Sequence, residues 1–261
     1  MKIILISSHR RSGTHLLIDS LRANIEDSIF PNHRELPADF NLGTLFSKDE
    51  KIFDTFKLLI KNNSTVIIKS HLLPDECNIK NPKDKFETFI KEIYNSSKKL
   101  YIYRDGKDTL VSLYRFLKPS IPFSEFLRQK NDHIVKEIRL EKKFDINRIL
   151  YWSYHVNQWK LDKSVKNISF SDLNSDFEST LCNVLQFLHC PIIEPLHKPQ
   201  IPKNKLLHGL RKKLNHYGIG SLPESSSVRP NKGNANLGIQ YFNDDSDSEF
   251  YINNTNINAV Q

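Results

Sequence analysis

The chain runs to 261 residues, enough for one large domain, with 38% hydrophobic and 26% charged residues; no stretch approaches the ~20 apolar residues of a membrane span. Thirty-eight Lys+Arg against 30 Asp+Glu give a net charge of +8, which favours an anionic partner that a nucleotide satisfies as well as nucleic acid does. Cys77, Cys182 and Cys190 are unevenly spaced, with neither CxxC nor a His-rich companion, so they predict reduced structural thiols and no metal site.

The first 25 residues read as strand, loop and helix: apolar from Ile3 to Ile6, polar from Ser7 to Ser12, then Leu17, Leu21 and Ile25 at helical spacing. Such a loop aims backbone N–H groups and the positive end of a helix dipole at one point, and this one adds His9, Arg10, Arg11, Ser12 and Thr14. That predicts a phosphate-like anion site; the competing reading is an ordinary turn with Ser12 as N-cap. The template GxxxxGK[ST], laid on Gly13, finds Ser8 at its first Gly and Thr14 at its Lys, which counts against a kinase-type loop.

A polar region around Pro31 to Pro37 has no period and is left as loop. Ser47 and Glu50 have capping-box spacing, and Ile52, Phe53, Phe56, Leu59 and Ile60 predict a helix over about 49–61. Thr65 to Lys69 form a β-branched run suited to a buried central strand, with Lys69, Ser70 and His71 at its carboxyl end, where α/β sheets collect ligands. Pro82 precedes a helical stripe from Phe86 to Tyr94, and Leu100 to Tyr103 give a third strand. Arg104 closes that strand, and a helix from about Lys107 carries Ser112.

Residues 131–148 are charged with helical propensity, and Trp152, Tyr154 and Trp159 at helical spacing read as core, with His155 unassigned. Asn167 to Phe170 predict a fourth strand, and Ser175 and Glu178 the start of a helix through Leu188. From 196 to about 240, Pro, Gly and basic residues predict a long mobile lid; after Asp244 the tail could hold one short helix before fraying. Four strands alternating with amphipathic helices predict a single α/β domain over 1–261, with a mainly parallel central sheet covered on both faces.

Three segments carry a resemblance. RRSGTHLL (Arg10 to Leu17), KSHLLP (Lys69 to Pro74) and the Arg104-to-Ser112 spacing of RxPxDxxxS resemble, in order, motifs of the cytosolic-type sulfotransferases. The resemblance implies a P-loop-like three-layer fold and transfer of a sulfuryl group from 3′-phosphoadenosine 5′-phosphosulfate (PAPS) to an acceptor hydroxyl or amine, without a metal. It implies His71 as catalytic base, assisted by Lys69 and Arg11. Arg11, Ser12, Gly13, Thr14 and His15 would hold the 5′-phosphosulfate, and Arg104 and Ser112 the 3′-phosphate. VRPNKGN would add Arg229, Lys232 and Gly233 from a closing lid.

The sequence departs from the family pattern at Gly106, where a Pro is usual, at Leu16 and Phe170, where an adenine-stacking Trp and a Tyr are common, and in the lid, which lacks the expected Trp. A degenerate nucleotide-binding protein is thus a further reading. The implied partners are a small-molecule or glycan acceptor and no nucleic acid, since basic residues are spread along the chain. Neither a secretion signal nor a dimerisation motif stands out, which predicts a cytoplasmic protein and leaves the oligomeric state open.

Overall fold

The computed structural model describes residues 2–26, 28–29, 40–129, 147–200, 203–216 and 236–255. Its centre is a parallel sheet of β1 (Lys2–Ser7), β2 (Ser28–Ile29), β3 (Thr65–Ser70), β4 (Lys98–Tyr103) and β5 (Val165–Ser169), in the order β2-β3-β1-β4-β5. Ile4, Leu5 and Ile6 of β1 and Val66, Ile67 and Ile68 of β3 are wholly buried, as expected of parallel strands covered on both faces. In register, Ser7 lies opposite Ser70 on one side and Tyr101 on the other, so β1, β3 and β4 end near one another. The chain leaves β1 toward β2 and β3, then returns to the other side of β1 as β4. That reversal opens a crevice at the carboxyl ends, the usual ligand position in such sheets.

The four predicted strands are present, and β2 adds a two-residue fifth too short to show any alternation. The fourth ends one residue early, because the Ser169 hydroxyl accepts from Asp172 N at 3.4 Å and Phe170 opens a new helix.

The sheet is flanked by α1 (Thr14–Asn24), α2 (Glu50–Asn62), α3 (Pro74–Cys77), α4 (Lys85–Ser96), α5 (Gly106–Leu117), α6 (Phe123–Arg128), α7 (Arg148–Leu161), α8 (Phe170–Ser175) and α9 (Phe177–Phe187). Several caps differ from the sequence reading. Asp49, not Ser47, caps α2, its carboxylate accepting from Lys51 N and Ile52 N, while the Ser47 hydroxyl donates back to Thr44 O within the 3₁₀ turn Leu42–Ser47. Asp84 likewise takes the capping place at α4 that Pro82 suggested, and Asp176 precedes α9 where Ser175 was expected. Serine hydroxyls here bond to carbonyls three or four residues back, a local alternative to capping.

The C-terminal part is more helical than its composition suggests. Within the segment read as lid lies α10 (Lys205–His216), followed by α11 (Leu237–Tyr241) and α12 (Asp245–Thr255). The tail docks on α7: Ser153 Oγ donates to Thr255 O at 2.9 Å, Asn147 Nδ2 to Asn254 Oδ1 at 2.7 Å, and the Tyr251 ring lies 6.2 Å from that of Trp152. Most of the charged stretch predicted helical, residues 131–146 of 131–148, lies outside the described residues, as do Arg229, Lys232 and Gly233.

Candidate active site

The site begins at the loop between β1 and α1. Gly13 precedes the helix with φ of 100° and Arg11 has φ of 70°, so the loop makes two left-handed turns, one on a residue that seldom adopts them. A Cβ on Gly13 would lie 2.3 Å from the Phe170 ring, so this position admits only glycine. No side chain caps the start of α1, and the buried Ser12 hydroxyl has no partner among the described residues. Ser8 Oγ and Thr14 Oγ1 close the loop across its base at 2.5 Å. The residues fit a phosphate-type anion: a glycine-only cradle, an unpartnered buried hydroxyl and the positive end of a helix dipole.

His71 follows β3 and adjoins this loop. Its Nδ1 lies 2.8 Å from the Ser8 carbonyl, which can only accept, so Nδ1 carries the proton and Nε2 the lone pair. Burial, then the Lys69 and Arg10 charges, hold its pKa well below 6.5, although the Ser8 bond pulls the other way. The imidazole is therefore neutral at neutral pH. Lys69 is buried at the end of β3.

His155, left unassigned in sequence, is a buried neighbour of His71. Its Nε2 donates to the His71 carbonyl at 3.2 Å, and its Nδ1 accepts from the Tyr101 hydroxyl at 2.9 Å. One turn on, Trp159 Nε1 donates to the Leu72 carbonyl at 3.0 Å. Two ring donors on α7 thus hold the consecutive carbonyls of residues 71 and 72. Burial lowers His155 to about 4 and, with His155 nearby, lowers His9 to about 3. Both are neutral and structural in the working range. The core reading of Trp159 holds, with this added polar contact.

The third strand end supplies the other half. Arg104 is buried, its guanidinium 4.8 Å from the Phe170 ring centre and 3.1 Å from the Asp108 carboxylate. Asp108 also accepts from Asn236 N at 3.0 Å and Gly238 N at 2.7 Å, tying the start of α11 to the start of α5. Arg11 turns toward α5, its Nε 3.3 Å from Ser112 Oγ and its guanidinium over Phe116. So Arg11, Arg104 and Ser112 gather on the α5 side, whereas Arg10 is the arginine whose charge reaches His71. The sequence reading gave that place to Arg11. Adjacent arginines with opposite directions carry no distinguishing signal in sequence; the left-handed turn at Arg11 separates them. His15 lies half-buried on the first turn of α1.

Gly106 stands at a close approach of three helices. A Cβ there would meet Tyr251 Oη at 2.2 Å and the Trp152 ring at 2.6 Å, so glycine lets the C-terminal helix close on α5 and α7. Among the described residues no cluster of side chains suits a metal ion, and no helix is long and apolar enough to cross a membrane.

Comparison with known proteins bears on this arrangement. A family model described as sulfotransferase domain matches residues 2–205. The fold resembles the crystal structure of mouse sulfotransferase SULT7A1 complexed with PAP, with TM-score 0.57 and 18% identity over 97% of this chain and 82% of that one. It also resembles retinol dehydratase in complex with androsterone and inactive cofactor PAP, with TM-score 0.54 and 14% identity over 97% and 80% of the two chains. A sulfotransferase from Alicyclobacillus acidocaldarius gives TM-score 0.50 and 17% identity over 83% of this chain and 91% of that one. A comparison with curated proteins gave no match.

Proposed function

This chain belongs to the sulfotransferase domain family and is a PAPS-dependent sulfotransferase, and we propose that His71 is the base of an in-line transfer to an acceptor hydroxyl or amine. The observation that carries the reading is the convergence of His71 and Lys69, the glycine-cradled loop, and Arg104 with Ser112 at the ends of three adjacent strands. PAPS supplies the sulfuryl group and the phosphate oxygen from which it departs.

His71 Nε2 takes the acceptor proton as the new S–O bond forms, and the Ser8 carbonyl keeps Nδ1 protonated throughout. Lys69 and Arg10 lie near enough to depress the His71 pKa, and the same charges favour negative charge building on the transferring group. Backbone N–H groups from Ser12 to Thr14, with His15, hold the 5′-phosphosulfate. Arg104 and Ser112 hold the 3′-phosphate. As in phosphoryl transfer, such a site acts mainly by positioning and electrostatics.

Calorimetric titration of adenosine 3′,5′-bisphosphate, 5′-AMP and ATP with Mg²⁺ tests the nucleotide assignment. We expect binding that needs the 3′-phosphate and falls about tenfold or more in Arg104→Ala, as loss of a charged hydrogen-bond donor implies. Preference for ATP with Mg²⁺, or indifference to the 3′-phosphate, overturns it.

A further inference from the structure

Helix α10 is built with its apolar side outward. His208 is only 4% exposed, whereas Leu206, Leu207, Leu210 and Leu214 are 87%, 51%, 54% and 38% exposed. At 100° per residue the four leucines span about 100° of the helix, centred about 150° from His208. Among the described residues nothing lies within 4 Å of where a Cβ on Gly209 would stand, beside the stripe. The buried residue described on this helix is a histidine, and the outward side has the composition of a core.

The charge around the helix is as uneven. Residues 195–223 hold six of the 38 Lys+Arg and none of the 30 Asp+Glu, so six of the chain's eight net positive charges fall in this one segment. Lys203, Arg211 and Lys213 are exposed beside the leucines.

From the outward leucine stripe and this concentration of positive charge, we propose that α10 is a docking surface for the headgroup region of an anionic lipid bilayer. Leucines on one side enter the acyl boundary while lysine and arginine meet anionic headgroups, the composition of an interfacial amphipathic helix. A second copy of the chain would bring the same positively charged segment against itself. A nucleic acid would match the charge and leave four leucines facing water. A groove on an acidic protein suits the charge, but the stripe lacks the aromatic anchors that dominate such interfaces. The inference is independent of the reaction assigned to the strand ends.

The test is flotation of the full chain with phosphatidylcholine vesicles, with and without phosphatidylglycerol, at low and high salt. Wild type floats with the anionic vesicles only and is released by salt. Leu206→Gln with Leu210→Gln and Leu214→Gln, and separately Lys203→Glu with Lys213→Glu, reduce the bound fraction by about tenfold each. Unchanged circular dichroism and unchanged adenosine 3′,5′-bisphosphate binding in both variants establish that fold and nucleotide site are intact. The proposal is overturned if wild type stays unbound with both vesicle types, or if the leucine variant still floats. It is equally overturned if sedimentation shows a wild-type dimer that the leucine variant abolishes, or if only an acidic protein competes for the stripe.

Discussion

Two histidines meet at one peptide, and their bonding separates their roles. His71 has Nδ1 committed to the Ser8 carbonyl and Nε2 available, whereas both nitrogens of His155 are engaged, one with Tyr101 and one with the His71 carbonyl. His71→Ala should therefore lose about 10²-fold or more in kcat while retaining adenosine 3′,5′-bisphosphate binding, the usual contribution of a positioned base. Full turnover in that variant would remove the base assignment. Because burial and the neighbouring cations hold the His71 pKa well below 6.5, its base form persists as pH falls through 6.5. The kcat/KM profile should stay flat there, and an acid limb at 6.5 would contradict the neutral, buried imidazole. His155 acts through the peptide it holds. His155→Ala should lower kcat by about tenfold to 10²-fold with KM for the nucleotide unchanged, as misplacement of a reacting group does. His155→Gln, whose amide can still donate to the His71 carbonyl, should recover most of that loss; equal activity of the two variants would reduce His155 to filler.

Elements explain which of these roles a sequence discloses. The apolar runs of β1, β3 and β4, and the motif residues immediately beyond them, are local and legible, so the strand ends and the residues Lys69, His71 and Arg104 could be read in order. Contacts between distant segments were not legible. The Trp159 and His155 donors to residues 71 and 72 span more than eighty positions, and Asp108 receives N–H groups from 236 and 238. The short helix expected after Asp244 is α12, but its polar composition gave no sign that it docks on Asn147, Trp152 and Ser153 of α7. Gly106 is the joint at which these elements meet. Gly106→Ala would force a methyl group to within 2.2 Å of Tyr251 Oη and 2.6 Å of the Trp152 ring. Because both neighbours are large and held by further packing, the tail should yield first, at a cost of about 1–3 kcal/mol typical of overpacking. Hydrogen exchange should then accelerate across Asp245–Thr255 and leave β1 and β3 protected. Unchanged exchange in α12 would mean that the joint has room.

At the scale of the whole molecule, the same buried groups set how stability depends on pH. His9, His71 and His155 have folded pKa values below the 6.5 of an unfolded histidine, with His155 at about 4 and His9 at about 3. Between those values and 6.5 the unfolded chain binds protons that the folded chain refuses, so stability is fully present above 6.5 and is lost as pH falls. For His155 alone the full effect is on the order of 3 kcal/mol, from the 1.36 kcal/mol carried by each pKa unit. Glu76 works in the opposite sense: burial raises it to about 8, so its contribution is present below 4.5 and is lost as pH rises toward 8. Three histidines outweigh one carboxyl between pH 6.5 and 4.5, while above 6.5 only Glu76 acts among these four. The melting temperature should therefore peak near pH 6.5, decline gently toward pH 8 and fall steeply toward pH 5. Calorimetric melts across that range check the shape, and His155→Gln should flatten the acid side, because one of the three refused protons no longer has a site. A melting temperature that holds or rises from pH 6.5 to 5 would mean that these imidazoles reach solvent, and with it the neutral His71 on which the proposed proton transfer depends would be lost.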